Sequence, residues 1–244
     1  MGIAYNTSIV RDGLVLHLDA ANIKSYPGTG TSWFDLNQNH NLTLLGGITY
    51  NSADKSLVFD GLNDACQVIG NIPIASPISV TNNFTIEQVF KPTAYQASAY
   101  FGLTNLLMGK GTASTYNYAS QITNDTTFTF IKRTSPEVLQ FHNFTTPSML
   151  NNVCVMTLVI QNGNDSLNDT VSCYFNGDFL QTLNITGTTI AAVDNDPFWI
   201  GGTGTSNQST LFTGSYYSAK IYNRNLLAAE IKLNFEAQRG RYGI

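Results

Sequence analysis

The sequence predicts an all-β protein, a sandwich or jelly roll of antiparallel sheets that ends in one short helix. Short runs of alternating apolar and polar residues fill most of the chain, with turn-forming Asn, Gly, Ser and Asp between them. The dipeptide Asn176-Gly177 separates two such runs, which is the pattern of a two-residue hairpin. Only residues 226–237 show the four-residue apolar spacing of a helix.

The alternating runs predict a dozen or more strands. We expect strands at residues 13–20, 41–47, 56–61, 65–70, 84–92, 104–111, 116–123, 126–133, 137–144, 152–163, 170–185 (as a hairpin), 197–202 and 214–224. In a strand, successive side chains point to opposite faces. One face of the run 84–92 therefore carries Phe84, Ile86, Gln88 and Phe90.

The last element is predicted to be helical. Leu227, Ile231 and Phe235 are four residues apart and would lie on one helix face, with Ala and Glu, both strong helix formers, between them. Asn225 is the expected cap, and Gly240 is the expected end of the helix.

Composition limits the class of protein. Only 11% of the 244 residues are charged, against about 25% in ordinary soluble domains. The net charge of −4 argues against a nucleic-acid binder, which needs clustered Lys and Arg. The longest apolar run, 153–160, is too short to span a bilayer, and the start of the chain lacks the pattern of a secretory signal. We expect one domain over residues 1–244, with 1–12 as a loose arm.

The three cysteines predict no zinc site and no disulfide framework, because their number is odd and no CxxC pair occurs. Cys154 and Cys173 are in phase with the apolar residues of their strands, so we expect buried free thiols. A Cys154–Cys173 disulfide is the alternative.

Four blocks of the sequence carry a resemblance to a known family: residues 13–36, 56–68, 171–182 and 212–244. They resemble the laminin-G-like branch of the concanavalin A-like lectin/glucanase superfamily, and more narrowly its versions in virion proteins of tailed phages. The most specific element is the closing pattern IYNR-x-L-x-x-x-EI followed by RGRYG. The resemblance implies a concanavalin A-like jelly-roll sandwich of two antiparallel sheets with one short C-terminal helix. It also implies that Trp33 and Trp199 pack in the core. It implies no activity, because function lies in a site and not in a fold.

Enzymatic activity is not expected. Glucanases of this superfamily carry the strand motif Glu-x-Asp-x-Glu, whose carboxylates suit retaining hydrolysis. The matching strand, 84–92, has only Glu87, with Val89 and Lys91 at the neighbouring positions of the same face. The three histidines have no metal-ligand spacing, and no GxSxG motif occurs. A glucanase that acts through Glu87 is the remote alternative.

Two kinds of binding site remain as hypotheses. Exposed aromatic rings could stack on a sugar or contact a protein partner, and the candidates are Tyr95, Tyr100, Tyr116 and Tyr118. The resemblance implies that Ca²⁺, the one cofactor considered, could bind oxygen ligands at the rim of the fold. The candidate ligands are Asp60, Asn63, Asp64, Asp194, Asn195 and Asp196. The alternative is that these residues form turns by bonding their own backbone.

The leading functional hypothesis is a virion structural accessory protein, either a capsid decoration or a tail-associated protein, located in the virion. Its partners would be other virion proteins, with no nucleic acid and no membrane, and self-association into a homo-oligomer is left open. At the C-terminus, Arg239, Arg241 and Tyr242 would either dock to a neighbouring subunit or pack on the chain itself. The alternative function is a carbohydrate-binding module that attaches to host or environmental polysaccharide.

Overall fold

Two antiparallel sheets pack face to face in a computed structural model that describes residues 8–68, 72, 75–80, 83–96, 103–111, 117–134, 138–161, 169–185, 196–202 and 211–244. The strands are β1 (Leu14–Asp19), β2 (Ser32–Trp33), β3 (Leu42–Leu45), β4 (Thr49–Asn51), β5 (Ser56–Asp60), β6 (Ala65–Val68), β7 (Phe84–Pro92), β8 (Leu106–Lys110), β9 (Tyr118–Asn124), β10 (Thr127–Thr134), β11 (Val138–Thr145), β12 (Cys154–Gln161), β13 (Thr170–Phe175), β14 (Asp178–Asn184), β15 (Phe198–Ile200) and β16 (Thr213–Tyr222). One helix, α1 (Ala228–Tyr242), follows them.

Strand β16 organises the first sheet. This sheet has the order β14-β13-β12-β7-β16-β5-β4, and β1 also pairs with β16. Residues 213–216 of β16 pair with β5 and residues 218–222 pair with β1, while β7 pairs along the other edge. The second sheet has the order β11-β10-β9-β8-β15-β6-β3-β2. The predicted fold class is therefore confirmed.

The largest apolar cluster lies between the sheets and takes residues from strands of both. The four inward residues predicted for β7 are all buried. Gln88, the polar one, donates from Nε2 to Ser120 Oγ at 2.9 Å and accepts from the Tyr216 hydroxyl at 2.9 Å. These bonds satisfy the buried amide, so a polar residue is tolerated in the core.

Local predictions about the core and the hairpin hold. Asn176 and Gly177 join β13 to β14 with positive φ angles of 51° and 78°, as a type I′ turn requires. All three cysteines are buried and free, so the alternative Cys154–Cys173 disulfide is wrong. Both tryptophans are fully buried. Strands β2 and β4 were not predicted, because two or three residues are too few to show a period of two.

The helix was predicted, but both of its ends were wrong. Leu227, expected on the buried face, is the N-terminal cap residue and is 70% exposed. Its main-chain N–H donates to Glu230 Oε2 at 2.8 Å, and Glu230 is held by Arg224 at 2.6 and 2.8 Å. This carboxylate satisfies the free helix end, so Asn225 does not cap it.

The helix continues through Gly240 because contacts with the body of the protein hold its last turn. Arg241 forms an ion pair with Asp19 at 2.7 Å, and the Tyr242 ring packs on Tyr217 with centroids 5.2 Å apart. The C-terminal residues thus pack on their own chain, which is one of the two predicted alternatives. In the described part of the chain, no helix has the length and apolar character needed to cross a membrane.

Candidate binding site

The predicted tyrosines are not brought together at one described surface. Tyr118 is fully buried, and its hydroxyl donates to the Ile78 carbonyl at 3.0 Å, so it cannot stack on an external sugar. Tyr95 is half-buried against the core, and its hydroxyl donates to Asp125 Oδ1 at 3.2 Å. Tyr100 and Tyr116 lie outside the described residues.

The first predicted calcium cluster forms a turn. The main-chain N–H of Asp60 donates to Asp64 Oδ2 at 2.8 Å, and that of Leu62 donates to Asp60 Oδ1 at 2.7 Å. Asn63 is exposed in the same turn. This geometry is the turn alternative, in which carboxylates bond the local backbone.

The second predicted cluster is described only in part. Asp194 and Asn195 lie outside the described residues, and Asp196 is 9% exposed. Burial raises the pKa of Asp196, although the positive charges of Lys110 and Arg133 act to lower it. Among the residues that the structure describes, no group of three or more His, Cys, Asp or Glu could hold a metal ion. A calcium site stays a prediction.

Glu87, the acid that a glucanase would need, lies beneath α1 on the outer face of the first sheet and is 1% exposed. Its Oε1 accepts from Lys220 Nζ and Gln238 Nε2, both at 2.8 Å, and its Oε2 accepts from Asn234 Nδ2 at 3.0 Å. The carboxylate is therefore committed to holding the helix on the sheet, and a saccharide cannot reach it.

Two clefts were not predicted. The Lys24 cleft has a volume of about 360 Å³ and is lined by Lys24, Phe34, Asp35, Leu36, Gln38 and Asn41. The Tyr50 cleft has a volume of about 200 Å³, and its lining includes Ile23, Tyr26, Pro27, Gly28, Tyr50 and Lys55. Ile23 and Lys24 are consecutive residues and line one cleft each, so one turn contributes to both clefts.

Asp35 holds the loop that forms the Lys24 cleft. Its Oδ1 accepts from the main-chain N–H groups of His17 and Asn37 at 2.8 and 3.0 Å. Its Oδ2 accepts from those of Asn39 and His40 at 3.0 and 3.3 Å. Four donors saturate the carboxylate, so Asp35 fixes the loop and is not free to take up a ligand.

Asparagines tie the same loop to the first sheet. Asn37 Nδ2 donates to the carbonyl of Leu14 at 2.9 Å, and Asn39 Nδ2 donates to that of Val15 at 2.7 Å. These hydrogen bonds fix the loop to the backbone of β1, so the Lys24 cleft is built on a rigid strand.

Reciprocal bonds between Ser25 and Phe34 hold apolar side chains out to solvent. The Phe34 N–H donates to the Ser25 carbonyl at 2.7 Å, and the Ser25 hydroxyl donates to the Phe34 carbonyl at 2.6 Å. The Phe34 side chain is left 41% exposed, and Ile23 is 76% exposed. Exposed apolar side chains beside concave surfaces are typical of binding sites.

Two tyrosine rings form the wall of the Tyr50 cleft. The centroids of Tyr26 and Tyr50 are 5.2 Å apart, and the Tyr26 hydroxyl donates to the Gly30 carbonyl at 3.0 Å. Gly28, with φ of 90°, lies against the Tyr50 ring, where a Cβ would come within 3.5 Å of Cε1. Burial, followed by the Asp19 charge, raises the pKa of Tyr50, so its hydroxyl stays protonated and can donate.

Backbone strain is concentrated at the clefts. Gln38 and Lys55 have φ angles of 61° and 60°. The other described non-glycine residues with positive φ are asparagines, which tolerate this conformation. Strained backbone persists where the surroundings hold it, and it clusters at functional sites. The signal that was available in the sequence is the opening block itself, which places aromatic residues between Gly, Pro and Asn turns.

A family model described as the concanavalin A-like lectin/glucanases superfamily, laminin G type, matches residues 60–232. Both clefts are formed by residues that precede this range. A comparison with curated protein sequences gave no significant match.

Solved structures share the fold at low sequence identity. Trypanosoma rangeli sialidase in complex with sialic acid is 17% identical with a TM-score of 0.65, over 96% of this chain and 34% of the sialidase. The binding domain of botulinum neurotoxin serotype D is 14% identical with a TM-score of 0.66, over 93% of this chain and 52% of that chain. The chain thus spans about a third of one and half of the other, and these similarities show the fold alone.

Proposed function

The chain belongs to the laminin-G-like branch of the concanavalin A-like lectin/glucanases superfamily, and on that premise we propose a non-enzymatic accessory protein of a tailed-phage virion. It would be a capsid decoration or a tail-associated protein that contacts other virion proteins. The observation that supports this proposal is the set of four sequence blocks that resemble tailed-phage virion proteins, which the fold brings together. Strand β16 of the last block pairs with β1 and β5 of the first two, and α1 follows it. Phe235 of α1 packs against Gly177 in the third block.

The neutral surface supports binding through shape. On the second sheet, Thr123 and Asn143 are exposed, and the buried Thr129 between them donates to Asn143 at 2.8 Å and lies 3.0 Å from the Thr123 hydroxyl. On the first sheet, the hydroxyls of Ser172 and Thr182 are 2.7 Å apart. Such uncharged rows make many weak contacts with a preformed shell or tail, and salt screens these contacts little.

Mass spectrometry of purified particles tests this proposal. We expect the chain in particles of the phage that encodes it, with hundreds of copies for a shell protein or a few to tens for a tail protein. Particles should retain it through washes at high salt, because its contacts are uncharged. Purified particles that lack the chain would overturn the proposal.

The second candidate function is carbohydrate binding, and the Lys24 and Tyr50 clefts favour it. They combine aromatic rings, which pack on the apolar face of a sugar, with amides that bond its hydroxyls. A sialidase solved with sialic acid has the same fold, at 17% identity.

A glycan array with two phenylalanine variants tests the carbohydrate-binding function. Phe34→Ala removes an exposed ring at the clefts, whereas Phe179→Ala removes an exposed ring on β14. We expect array signals that fall about tenfold in Phe34→Ala and stay unchanged in Phe179→Ala, since one stacked ring contributes roughly 1–1.5 kcal/mol. A blank array contradicts this function, and equal signals for the two variants contradict its placement at the clefts.

A further inference from the structure

We propose that two copies of the chain associate through the free edge of β11, as a two-fold dimer in which β11 pairs antiparallel with its counterpart. Strand β11 is the last strand of the second sheet, and no strand in the described ranges pairs with its outer edge. Such an edge presents unpaired main-chain N–H and C=O groups to another chain. The partner is a second copy because β11 is complementary to itself in hydrogen bonding, charge and side-chain contact.

Strand β11 lacks the features that protect the other edges. Edge strands are usually short, bulged, charged or covered. Strands β2 and β4 have two and three residues, the pairing of β14 with β13 shifts register between Cys173 and Tyr174, and the loop 35–39 bonds the backbone of β1. Strand β11 keeps an unbroken register with β10 over eight residues and contains no Pro, Gly, Lys, Arg, Asp or Glu. Among the described edges, it is therefore the one most open to pairing.

The backbone of β11 directs alternate residues to this open edge. The Thr146 N–H donates to the Thr126 carbonyl at 2.9 Å, one pair beyond the register of β10 with β11. In an antiparallel ladder, hydrogen-bonded pairs alternate with non-bonded pairs. The even-numbered residues of β11 thus bond β10, and the odd-numbered residues direct their N–H and C=O groups outward.

A two-fold axis at Phe141 puts these outward groups to use. Phe141 would face Phe141 of the partner subunit, and Leu139 would face Asn143 of the partner subunit. These residues are all odd-numbered, so each pair exchanges two main-chain hydrogen bonds. The Phe141 ring, which is exposed in the single chain, would lie beside its counterpart, where an aromatic pair stabilises the joined sheet.

The same register brings together two polar groups that have no partner in the described part of the chain. Gln140 Oε1 and His142 Nε2 are shielded from solvent and form no hydrogen bond with the described residues. Both side chains are partly exposed and lie on one face of β11, two positions apart. Across the axis Gln140 faces His142 of the partner subunit in a non-bonded pair, where the backbones approach most closely. A turn of each side chain toward the axis lets the imidazole N–H donate to the amide oxygen, which satisfies both groups.

Charge does not oppose this pairing. Burial, followed by the Lys132 charge, lowers the pKa of His142 to about 4, so the imidazole is neutral at pH 7. Like charges directly opposite each other destabilise a strand pair, and an uncharged β11 places none at the axis. An uncharged edge that complements itself favours a second copy over a charged partner.

Sedimentation equilibrium of the full chain tests the proposal. We expect a dimer of twice the 26.6 kDa chain mass. Phe141→Lys places like charges opposite each other and should raise the dissociation constant of the dimer at least about tenfold. Leu45→Lys is the control, because Leu45 is almost equally exposed but lies on β3, at the far side of the second sheet. It should leave the dissociation constant unchanged.

A charge-swap pair keeps the test free of folding defects. Phe141→Glu alone should dimerise as weakly as Phe141→Lys, and an equal mixture of the two should recover dimers, because opposite charges then face each other across the axis. A variant that failed to fold could not recover in this way. A wild type that stays monomeric at about 100 μM overturns the proposal. A dimer that Phe141→Lys retains, a dimer that Leu45→Lys weakens equally, or a mixture that stays monomeric also overturns it.

Discussion

A buried histidine should make the protein sensitive to mild acid. His17 lies opposite Lys220 on the paired strands β1 and β16 and is 9% exposed. Burial, followed by the Lys220 charge, lowers the pKa of His17 from 6.5 to about 3, although the Asp19 charge opposes this shift. Arg241 and Arg11 add to the lowering.

The sign and size of the effect follow from this pKa. The unfolded chain binds a proton at His17 near pH 6.5 and the folded chain binds it only near pH 3, so stability is full above pH 6.5 and falls through that window. At about 1.5 pH units below the pKa of His17 in the unfolded chain, that is at pH 5, protonation stabilises the unfolded state. The free energy of unfolding falls by about 2 kcal/mol as a result.

Urea unfolding at pH 7 and pH 5 measures this loss, and the matched variant is His17→Gln, which cannot titrate. We expect the variant to lose about 2 kcal/mol less than the wild type between the two pH values, whatever its stability at pH 7. His142, whose pKa burial and Lys132 lower to about 4, titrates in both proteins and serves as the common background. An equal pH dependence in the two proteins would refute the reasoning.

Other predictions concern the helix, the hairpin and the thiols. Glu87→Leu should lower the free energy of unfolding by about 3–5 kcal/mol, because it leaves the buried Lys220 without its ion-pair partner. Adding Lys220→Met should recover part of this loss. An unchanged melting temperature in Glu87→Leu would contradict the prediction. Gly240→Ala in α1 should stabilise by about 0.5–1 kcal/mol. Gly177→Ala should destabilise the protein by at least about 1 kcal/mol, because its Cβ would lie 2.8 Å from Phe235. Calorimetry that finds Gly177→Ala more stable than Gly240→Ala would contradict both predictions. Ellman's reagent should find no reactive thiol in the folded protein and three after unfolding.

Features that depend on neighbouring residues were readable from the sequence. The alternation in 84–92 predicted the buried face of β7, and the Asn-Gly pair predicted the hairpin turn. Tyr118 was misassigned even though a local signal existed, since it shares the phase of the buried Ile122 on β9. That phase alone does not decide burial, because residues 118–122 of β9 are buried on both faces.

Features that depend on distant residues were not readable. Glu87 and Lys220 are 133 residues apart, and only the pairing of β7 with β16 places their side chains together under α1. The Lys24 and Tyr50 clefts likewise need Asp35 to bond the backbone of His17 and β4 to pair beside β5. No period in the sequence encodes these contacts.

By itself the sequence determined the longer strands, the inward face of β7, the hairpin and the presence of one helix, because steric and hydrophobic preferences act between near neighbours. The tertiary structure alone decided which polar side chains are buried, where the helix ends and which aromatic rings reach solvent. Those outcomes depend on what packs over each residue, and here the covering group comes from a remote part of the chain.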